Sequence, residues 1–485
     1  MSHRQRNLSV GLCGGGLGGL TAAIALARAG ARVTVLEAAE ELGEIGAGIQ
    51  MTPNVARFLV RWGVSDIIGP DLVQCDRINM RDKDGQVVAF SDFRRIVRDY
   101  GYPWWVVHRH HLHSGLAESC RRHGVQLVID ARVEKIEYDD HPTDADTNEV
   151  KVTTAKGKQY NFDLLIGSDG LKSVVRRKLF PDVKPAALTK NAAYRAVIPY
   201  SQVFAKIPEA RGVLGNAIDV WTAPGSYFIS YPMSAGRDFN LVLSHHTRDG
   251  HVVEDVEEAD MDELRCSYEH YDPLVQKIVA LIPQSKRWPL MVTGPLESWS
   301  NKAKNVVLMG DAAHSMVNHM AQGAATSMED GAFLGKVVAD VIRGILTLRE
   351  AVEIYERTRM PRAWTKQQAS FSAGQLYMAA PPDLEVRNES SRVEREAAFS
   401  NVTNPPHPPP TYRSWDLWGF PDSIPGVYAY DAEADADNAI CEYLAKAGEV
   451  DPKTRVSKRL KEKWWNWGDT NGEDVWTKQV AKSKL

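Results

Sequence analysis

The 485-residue chain has few of the features of a secreted, metal-binding or membrane-spanning protein. Its cysteines, Cys13, Cys75, Cys120, Cys266 and Cys441, are odd in number and widely scattered. This spacing predicts neither a disulfide framework nor a metal site, and it favours a reducing compartment. No apolar run approaches the roughly 20 residues that a membrane span needs. The polar, basic start of the chain lacks the apolar core of a signal peptide, so we expect a cytoplasmic protein.

The chain also lacks a strong excess of charge of either sign. It has 58 lysines and arginines against 62 aspartates and glutamates, which gives a formal net charge of −4. This balance gives no reason to expect nucleic-acid binding. The apolar fraction of 44% is that of a globular protein, and the length suggests two or three domains.

A glycine-rich turn near the N-terminus is the most informative motif present. An apolar run that predicts a buried strand precedes it, and a helix-forming stretch follows. Gly14 allows a tight turn, Gly16 lets the backbone approach a pyrophosphate, and Gly19 allows close packing of helix on strand. Glu37 follows the next predicted strand, where an acid can accept a ribose hydroxyl. The pattern indicates a bound dinucleotide, and the alternative is a glycine-rich turn without a ligand.

Two further predicted strands end in glycine and aspartate. Asp169-Gly170 follows one apolar run, and Gly310-Asp311 follows another. An acid at the mouth of a buried strand can accept the hydroxyl groups of a sugar-like chain. Gly323 then opens a long predicted helix, whose first N–H groups can face an anionic ligand.

In this order, the three motifs resemble those of the single-component, FAD-dependent aromatic hydroxylases, which include salicylate hydroxylase and p-hydroxybenzoate hydroxylase. The similarity covers roughly residues 8–380 and also includes Val107-His-Arg109 and Tyr231-Pro232. It implies an α/β fold, in which a Rossmann-like FAD-binding domain is interleaved with a mixed-sheet substrate domain and followed by a C-terminal extension. We expect the FAD-binding domain in 1–184 and 293–380, the substrate sheet in 185–292 and the extension in 381–485.

The resemblance implies roles for residues along the cofactor. Glu37 would hold the adenosine ribose, Arg109 the FAD phosphates or ribitol, and Asp311 the ribitol hydroxyls. Asp169 is implicated in flavin and nicotinamide binding, and Arg109 or Asp311 could instead be a surface ion pair or a helix cap. The remaining predicted cofactor contacts are Leu17, Ala38, Gly48, Val133, and the N–H groups of Gly323 and Ala324 beside the flavin.

The resemblance also implies the reaction. NAD(P)H would reduce the flavin, and the reduced flavin would activate O2 as a C4a-hydroperoxide to hydroxylate a small phenolic acid of the hydroxybenzoate or salicylate type. No second GxGxxG is present, in agreement with a nicotinamide that docks only transiently. We favour loss of CO2 to give a hydroquinone or catechol. The alternatives are ortho hydroxylation of a larger phenolic or polyketide metabolite, a flavoprotein without turnover, and an NAD dehydrogenase. We expect a monomer or homodimer.

Two tyrosines and a loop histidine are the main candidates for substrate contacts. Tyr227 and Tyr231 lie four residues apart on an alternating strand, so their side chains share one face, either at the substrate or in the core. His319 lies in the loop before Gly323, and the alternative is a histidine that faces solvent. Gln50 lies in a stretch where relatives place a substrate contact.

Other histidines and one departure from the family complete the candidates. His314 directly follows the Gly-Asp motif, and we expect it to be structural rather than catalytic. One of His245 and His246 should face the pocket if its strand is regular. Relatives usually have proline where this chain has Asn318, and Ser315-Met316-Val317 is also unlike the bacterial members. By resemblance, these departures indicate a fungal-type subgroup.

Outside these motifs, alternating runs in the region from about 185 to 292 predict an antiparallel sheet that a single helix, roughly from Met261 to Leu281, interrupts. A proline run at 405–410 predicts an extended linker. The tryptophans at 464, 465 and 467 indicate either a lid or interface, or a helix packed back on the body.

Overall fold

The computed structural model describes residues 8–43, 47–141, 149–246, 252–378 and 426–446. The predicted proline linker and tryptophan-rich tail lie outside these ranges. The strands are β1 Ser9–Cys13, β2 Arg32–Leu36, β3 Gly48–Met51, β4 Val73–Gln74, β5 Arg77–Arg81, β6 Val87–Asp92, β7 Trp105–His108, β8 Gln126–Val128, β9 Val133–Glu137, β10 Val150–Thr154, β11 Gln159–Phe162, β12 Leu164–Gly167, β13 Ala186–Pro199, β14 Ala217–Ala223, β15 Ser226–Met233, β16 Asp238–His246, β17 Glu257–Glu258, β18 Lys286–Val292 and β19 Val306–Leu308.

The helices surround these strands, and within the described ranges none combines the length and apolar character needed to cross a bilayer. They are α1 Leu17–Ala29, α2 Pro53–Arg61, α3 Val64–Ile68, α4 Phe93–Tyr100, α5 Arg109–Arg122, α6 Val174–Leu179, α7 Tyr200–Lys206, α8 Met261–Ser267, α9 Pro273–Ala280, α10 Asp311–His314, α11 Gly323–Ile342, α12 Leu348–Tyr377 and α13 Ala432–Ala445, with short 3-10 turns at Gly69–Asp71 and Pro208–Gly212.

A five-stranded parallel sheet forms the first half of the molecule, in the order β19-β12-β1-β2-β8. Strand β1 is buried along its whole length, as the apolar run before the glycine turn predicts. Helices α1 and α11 cross closely over this sheet, since Gly331 and Gly335 of α11 lie against Ala22 and Ala25 of α1. Because β1, β12 and β19 run parallel, their carboxyl ends meet at one edge of the sheet. The three glycine motifs directly follow these strand ends.

An eight-stranded mixed sheet forms the second half, in the order β17-β18-β13-β16-β15-β14-β5-β6. Its neighbours are antiparallel except β14 and β5. Helices α7, α8 and α9 pack on one face, around Trp221, Phe228 and Tyr268. The other face, which carries Tyr227 and Tyr231, turns toward the parallel sheet. The predicted α/β fold with a Rossmann-like sheet and a mixed sheet is confirmed.

Strands β5 and β6 come from the chain before residue 184, so the mixed sheet also takes strands from the segment expected to be the first part of the FAD-binding domain. The predicted division of the chain at residues 184 and 292 stays a prediction. The hairpin of β9 and β10 occurs as expected.

The prediction of a single helix from Met261 to Leu281 is wrong. Helix α8 ends at Ser267, and α9 begins at Pro273. Asp272 caps α9 by accepting a hydrogen bond from the Leu274 N–H at 2.7 Å. Proline at the first helical position lacks the N–H that would continue a preceding helix, so the chain breaks here.

The contact between α1 and α11 gives a test of the fold. A Cβ atom on Gly331 would lie 2.7 Å from the backbone nitrogen of Ala22. Although alanine favours a helix over glycine by about 1 kcal/mol, we expect Gly331→Ala to lower the free energy of unfolding by about 1–3 kcal/mol through overpacking. Urea denaturation measures this change. In the control Gly215→Ala, nothing lies within 4 Å of the new Cβ. Equal stability of the two variants would contradict the close helix contact.

Candidate functional site

One cavity of about 610 Å³ lies between the parallel sheet and the open face of the mixed sheet. We define its groove as the part lined by Gly14, Gly16, Glu37, Arg109, Asp169, Asp311 and Gly323, and its inner pocket as the part lined by Gln50, Trp104, Arg195, Tyr227, Tyr231, Asn318, His319, Tyr377 and Tyr428. All thirteen residues predicted to contact the cofactor and all four predicted to contact the substrate line this cavity. Residues that are far apart in the sequence therefore meet in one space.

The glycine turn has the geometry that its spacing predicts. Gly14 has a φ of 100°, and a Cβ there would lie 2.5 Å from the Ser168 carbonyl oxygen. A Cβ on Gly19 would collide with the Gly14 carbonyl oxygen. Only glycine fits either position, and the backbone at Gly16, which precedes the first turn of α1, is open to the groove.

Glu37 lies at the edge of the groove, where its carboxylate is fixed by the backbone. One carboxylate oxygen accepts a hydrogen bond from the Gly15 N–H at 2.6 Å, and the other accepts one from the Ala39 N–H at 2.8 Å. Each oxygen keeps a further lone pair with which it can accept a ligand hydroxyl.

Asp169 is engaged within the protein. Its carboxylate accepts hydrogen bonds from the Ser173 hydroxyl at 2.5 Å and from the Val174 N–H at 2.6 Å. Burial raises the pKa of Asp169, and these hydrogen bonds act in the opposite direction. The residue lines the groove, but it also holds the loop between β12 and α6 in place.

Arg109 and Asp311 introduce opposite charges into the groove. Arg109 is the first residue of α5, and Asp311 is the first residue of α10. Burial lowers the pKa of Arg109, the positive charge of Arg195 lowers it further, and the negative charge of Asp311 raises it. Arg109 is thus close enough to interact with both Arg195 and Asp311, at the junction of the groove and the inner pocket.

The groove fits a dinucleotide such as FAD. Helices α1 and α11 both begin at it, and neither has an acidic residue in its first turn or a side-chain cap from the described residues. Their first N–H groups, including those of Gly323 and Ala324, can therefore donate to a phosphate or a ring carbonyl. Glu37 and Asp311 supply acceptors for ribose and ribitol hydroxyls.

The inner pocket contains a buried hydroxyl–imidazole pair. The Tyr227 hydroxyl lies 2.8 Å from Nδ1 of His319, and both side chains are buried. Burial raises the pKa of Tyr227 and lowers the pKa of His319 to about 4. Both groups are therefore uncharged near neutral pH. His319 packs on Gly374 of α12, which leaves no room for a larger residue there.

Tyr231 and Gln50 are also held in place at the pocket wall. A Cβ on Gly48 would lie 2.5 Å from the Tyr231 ring, so the glycine allows the ring to pack on the backbone of β3. The carboxamide oxygen of Gln50 accepts a hydrogen bond from the Trp104 indole at 3.2 Å. These contacts fix the positions of the Tyr231 ring and the Gln50 carboxamide in the pocket wall.

Arg195 is a pocket residue that the sequence analysis missed. It lies on β13, on the same face of the mixed sheet as Tyr227 and Tyr231, and its guanidinium lies 6.0 Å from the Trp288 ring centre. Its buried Nε has no hydrogen-bond partner in the part of the chain that the structure describes. A basic residue at an inward-facing position of an alternating strand was the signal that could have identified it.

The structure places the other histidines away from the pocket. His245 stacks on Tyr194 with ring centres 4.7 Å apart, on the face of the sheet that the helices cover. His246 is exposed at the end of β16. The expectation that one of them faces the pocket is wrong. His314 is buried, and its Nε2 lies 2.6 Å from the Asp330 carboxylate, which agrees with a structural role.

The buried imidazole of His319 predicts a pH dependence of stability. Its pKa of about 4 lies below the 6.5 of a free histidine. Between these values the unfolded chain binds a proton that the native chain does not, so the native state loses stability as the pH falls from about 6.5 toward 4. At 1.36 kcal/mol per unit, this loss reaches about 2 kcal/mol by pH 5.

Urea denaturation of wild type and His319→Gln at pH 7 and pH 5 measures this effect, and we expect the variant to lose about 2 kcal/mol less than wild type between these values. His110→Gln, which changes an exposed histidine, is the control and should follow wild type. Parallel losses in wild type and His319→Gln would contradict the buried, neutral imidazole.

Comparisons with known proteins agree with this geometry. Residues 7–370 match the family described as FAD binding domain. The chain is 33% identical to 3-hydroxybenzoate 6-hydroxylase of Polaromonas naphthalenivorans (strain CJ2), over 80% of this chain and 93% of the relative. It is 30% identical to the FAD-dependent monooxygenase OpS4 of Beauveria bassiana (strain ARSEF 2860), over 91% of this chain and 99% of the relative.

Solved structures show the same fold. A salicylate hydroxylase substrate complex superposes with a TM-score of 0.68 at 20% identity, and it covers 90% of this chain and 98% of that structure. The enzyme CtdE in complex with FAD and a substrate gives a TM-score of 0.72 at 19% identity, over 90% of this chain and 100% of that structure. With its glycine turn, its Asp-Gly and Gly-Asp loops and a match over most of its length, the chain belongs to the FAD binding domain family, as one of its FAD-dependent aromatic monooxygenases.

Proposed function

We propose that this enzyme hydroxylates the ring of a small phenolic acid of the hydroxybenzoate or salicylate type, with FAD as cofactor and NAD(P)H and O2 as co-substrates. The observation that carries the proposal is the buried Tyr227–His319 pair, which lies in the same cavity as the dinucleotide groove. When bound, FAD accepts a hydride from NAD(P)H and activates O2 for transfer to the ring. The residues of this chain bind, orient and shield the reactants.

We infer that the groove residues hold FAD in the order that the fold presents them. Glu37 accepts the adenosine ribose hydroxyls, and the first turn of α1 after Gly16 faces the pyrophosphate. Arg109 and Asp311 hold the ribitol region, and the N-terminus of α11 at Gly323 faces the flavin. The uncapped helix ends and the open glycine backbone support this arrangement.

The Tyr227–His319 pair is suited to recognise a phenolic oxygen. Phenols have a pKa near ~10 and are more reactive toward electrophilic oxygen when ionised. In the tautomer with hydrogen on Nδ1, His319 donates to the Tyr227 oxygen. The Tyr227 hydroxyl, whose other acceptor is the Asn318 side-chain oxygen at a long 3.5 Å, can then donate to a substrate phenolate. The positive charge of Arg195, which acts to lower the pKa of Tyr227, also favours an anion at this position.

Arg195 favours an acidic substrate. The guanidinium lines the inner pocket, its Nε is buried, and none of the residues that define that pocket is an acid. A carboxylate is the small anion that matches a guanidinium best. The relative named for 3-hydroxybenzoate and the fold neighbour named for salicylate support a ring that carries both a hydroxyl and a carboxyl group.

Apolar side chains of the cavity wall limit the access of water to the reacting centre. Met80, Val220, Ile229 and Trp104 line it, and all except the partly buried Ile229 are buried. Exclusion of water protects a reactive oxygen species from wasteful breakdown.

The reaction has two versions, in which the substrate carboxylate is either lost as CO2 or kept in the product. Loss of CO2 is what the resemblance of the sequence favours, and it stays a prediction. The bacterial relative is named for hydroxylation at ring carbon 6 of its own substrate.

The second candidate function is hydroxylation of a larger phenolic or polyketide metabolite. The match to the fungal monooxygenase supports it, since that match extends over 91% of this chain.

We place the enzyme in the cytoplasm because its five cysteines are all free, and three of them are buried in the two halves of the fold. A monomer or a homodimer stays a prediction.

Removal of a groove acid tests the cofactor site. We expect Asp311→Ala to reduce the fraction of purified protein that carries FAD, because the ribitol hydroxyls lose their acceptor. Absorbance of the bound flavin relative to the protein measures this fraction. Asp182→Ala, which changes an exposed aspartate, serves as the matched control. Full flavin occupancy in Asp311→Ala would remove Asp311 from the site.

Neutralisation of the pocket cation tests the substrate class. Loss of a charged hydrogen bond costs about 1.5–3 kcal/mol, so we expect Arg195→Met to raise the KM for salicylate or a hydroxybenzoate about 10- to 100-fold. The KM for an uncharged phenol should change little. Arg211→Met, which changes an exposed arginine, is the control. An equal effect on charged and uncharged phenols would exclude carboxylate binding by Arg195.

Product mass identifies the reaction itself. The FAD-loaded protein is incubated in air with NADH or NADPH and a panel of hydroxybenzoates. A gain of one oxygen with loss of CO2 indicates decarboxylating hydroxylation, and a gain of oxygen alone indicates ordinary ring hydroxylation. Consumption of NAD(P)H that yields only hydrogen peroxide with every member would contradict a small phenolic acid and favour a larger substrate.

A further inference from the structure

We propose that the chain beyond the family domain completes the substrate site, and that Tyr428 sets the size of the phenol that the inner pocket accepts. This inference rests on the proposed function. The match to the FAD binding domain ends at residue 370, and Tyr428 lies well beyond it. Tyr428 nevertheless lines the same cavity as Tyr231 and Trp104, and only 7% of its surface is exposed.

The Tyr428 ring belongs to an aromatic wall of the pocket. Its centre lies 5.1 Å from the Trp104 ring and 5.9 Å from the Tyr100 ring. Trp104 in turn stacks on Phe93 at 4.5 Å and donates to Gln50. A ring packed edge-on against Tyr100 and tilted against Trp104 has little freedom to move aside. The Tyr428 side chain therefore limits how far a substrate can extend in this direction.

The backbone beside Tyr428 is fixed by charged groups of α2. Arg57 donates from Nη2 to the Tyr428 carbonyl oxygen at 3.1 Å, and its Nη1 lies 3.2 Å from the Asp431 carboxylate. Arg61 lies 2.6 Å from the same carboxylate. Arg57 is buried, so this contact is shielded from solvent. Helix α2 directly follows β3, the strand that carries Gln50, so the segment is tied to the pocket wall itself.

A second anchor holds Tyr430, two residues after Tyr428. The Tyr430 hydroxyl accepts a hydrogen bond from Arg359 at 2.8 Å and donates one to Asp435 at 2.8 Å. The Arg362 guanidinium lies 3.4 Å from the centre of the Tyr430 ring. Both arginines belong to α12. Because α2 holds the Tyr428 carbonyl and Asp431, and α12 holds Tyr430, the Tyr428 ring has a fixed position in the pocket wall.

Size selectivity follows from this arrangement. Enlarging the space beside Trp104 should admit a second fused ring, whereas loss of the Tyr428 hydroxyl alone should leave the wall intact. The probes are salicylate and 1-hydroxy-2-naphthoate, which carry the same hydroxyl and carboxylate on one ring and on two. Binding to the FAD-loaded full chain is measured by the change in flavin absorbance, and turnover is measured separately by product mass.

We expect Tyr428→Ala to shift the ratio of the two dissociation constants about tenfold toward the naphthoate, the scale on which pocket contacts discriminate substrates. Tyr428→Leu should shift it in the same direction if the alanine variant does not fold. Tyr428→Phe should keep the wild-type ratio. Tyr443→Ala is the control, since Tyr443 lies on α13, bonds to Glu350 and does not line the cavity.

An unchanged ratio in both shortened variants would overturn the proposal for Tyr428. A shifted ratio without hydroxylation of either probe would keep Tyr428 as a pocket wall and overturn only the proposed function. Failure of wild type and all variants to bind either probe would overturn both. The same shift in Tyr443→Ala would show that the effect reflects general loosening of the C-terminal segment, which also contradicts a specific role for Tyr428.

Discussion

A cluster of buried charges holds the site together. The Glu329 carboxylate on α11 lies 2.9 Å from the guanidinium groups of Arg359 and Arg362 and 2.8 Å from the Lys366 ammonium on α12. Burial alone would raise the pKa of Glu329, but these three cations hold it well below its usual range. Removal of one partner from such a buried pair costs about 3–5 kcal/mol, because the other charge is left without compensation. The two helices therefore keep a fixed alignment.

This cluster reaches both parts of the cavity. Lys366 also donates to the side chain of Gln322, the residue immediately before α11, and thereby sets the helix end that faces the groove. Asp330 joins Arg359 to His314, so α10 is held as well. The loop between α10 and α11 carries His319 into the inner pocket. One set of ion pairs thus positions elements of both the groove and the inner pocket. A flavin in the groove and an aromatic ring in the inner pocket would meet where these two parts of the cavity join.

The sequence predicts those parts of the site that depend on local geometry. The turn at Gly14 and the shared face of Tyr227 and Tyr231 follow from backbone sterics and from the two-residue period of a strand. The same period did not place His245, because a strand alone does not reveal which of its faces the helices cover. The sequence did not indicate Tyr428 as a pocket residue, because its contact with Trp104 joins residues more than 300 positions apart. The strand pattern contains Arg195 as a basic residue at an inward-facing position, but only the surrounding pocket in the structure indicates its role in substrate binding.

The central claim is that O2 activated in the groove delivers oxygen to a phenolic acid in the inner pocket. The most direct test is turnover of the FAD-loaded enzyme under isotopically labelled O2 in unlabelled water, with NAD(P)H and the hydroxybenzoate that reacts best. The account predicts one labelled oxygen atom in each molecule of product. Product that carries oxygen from water, or NAD(P)H oxidation whose label ends only in hydrogen peroxide for every phenolic acid, would contradict it.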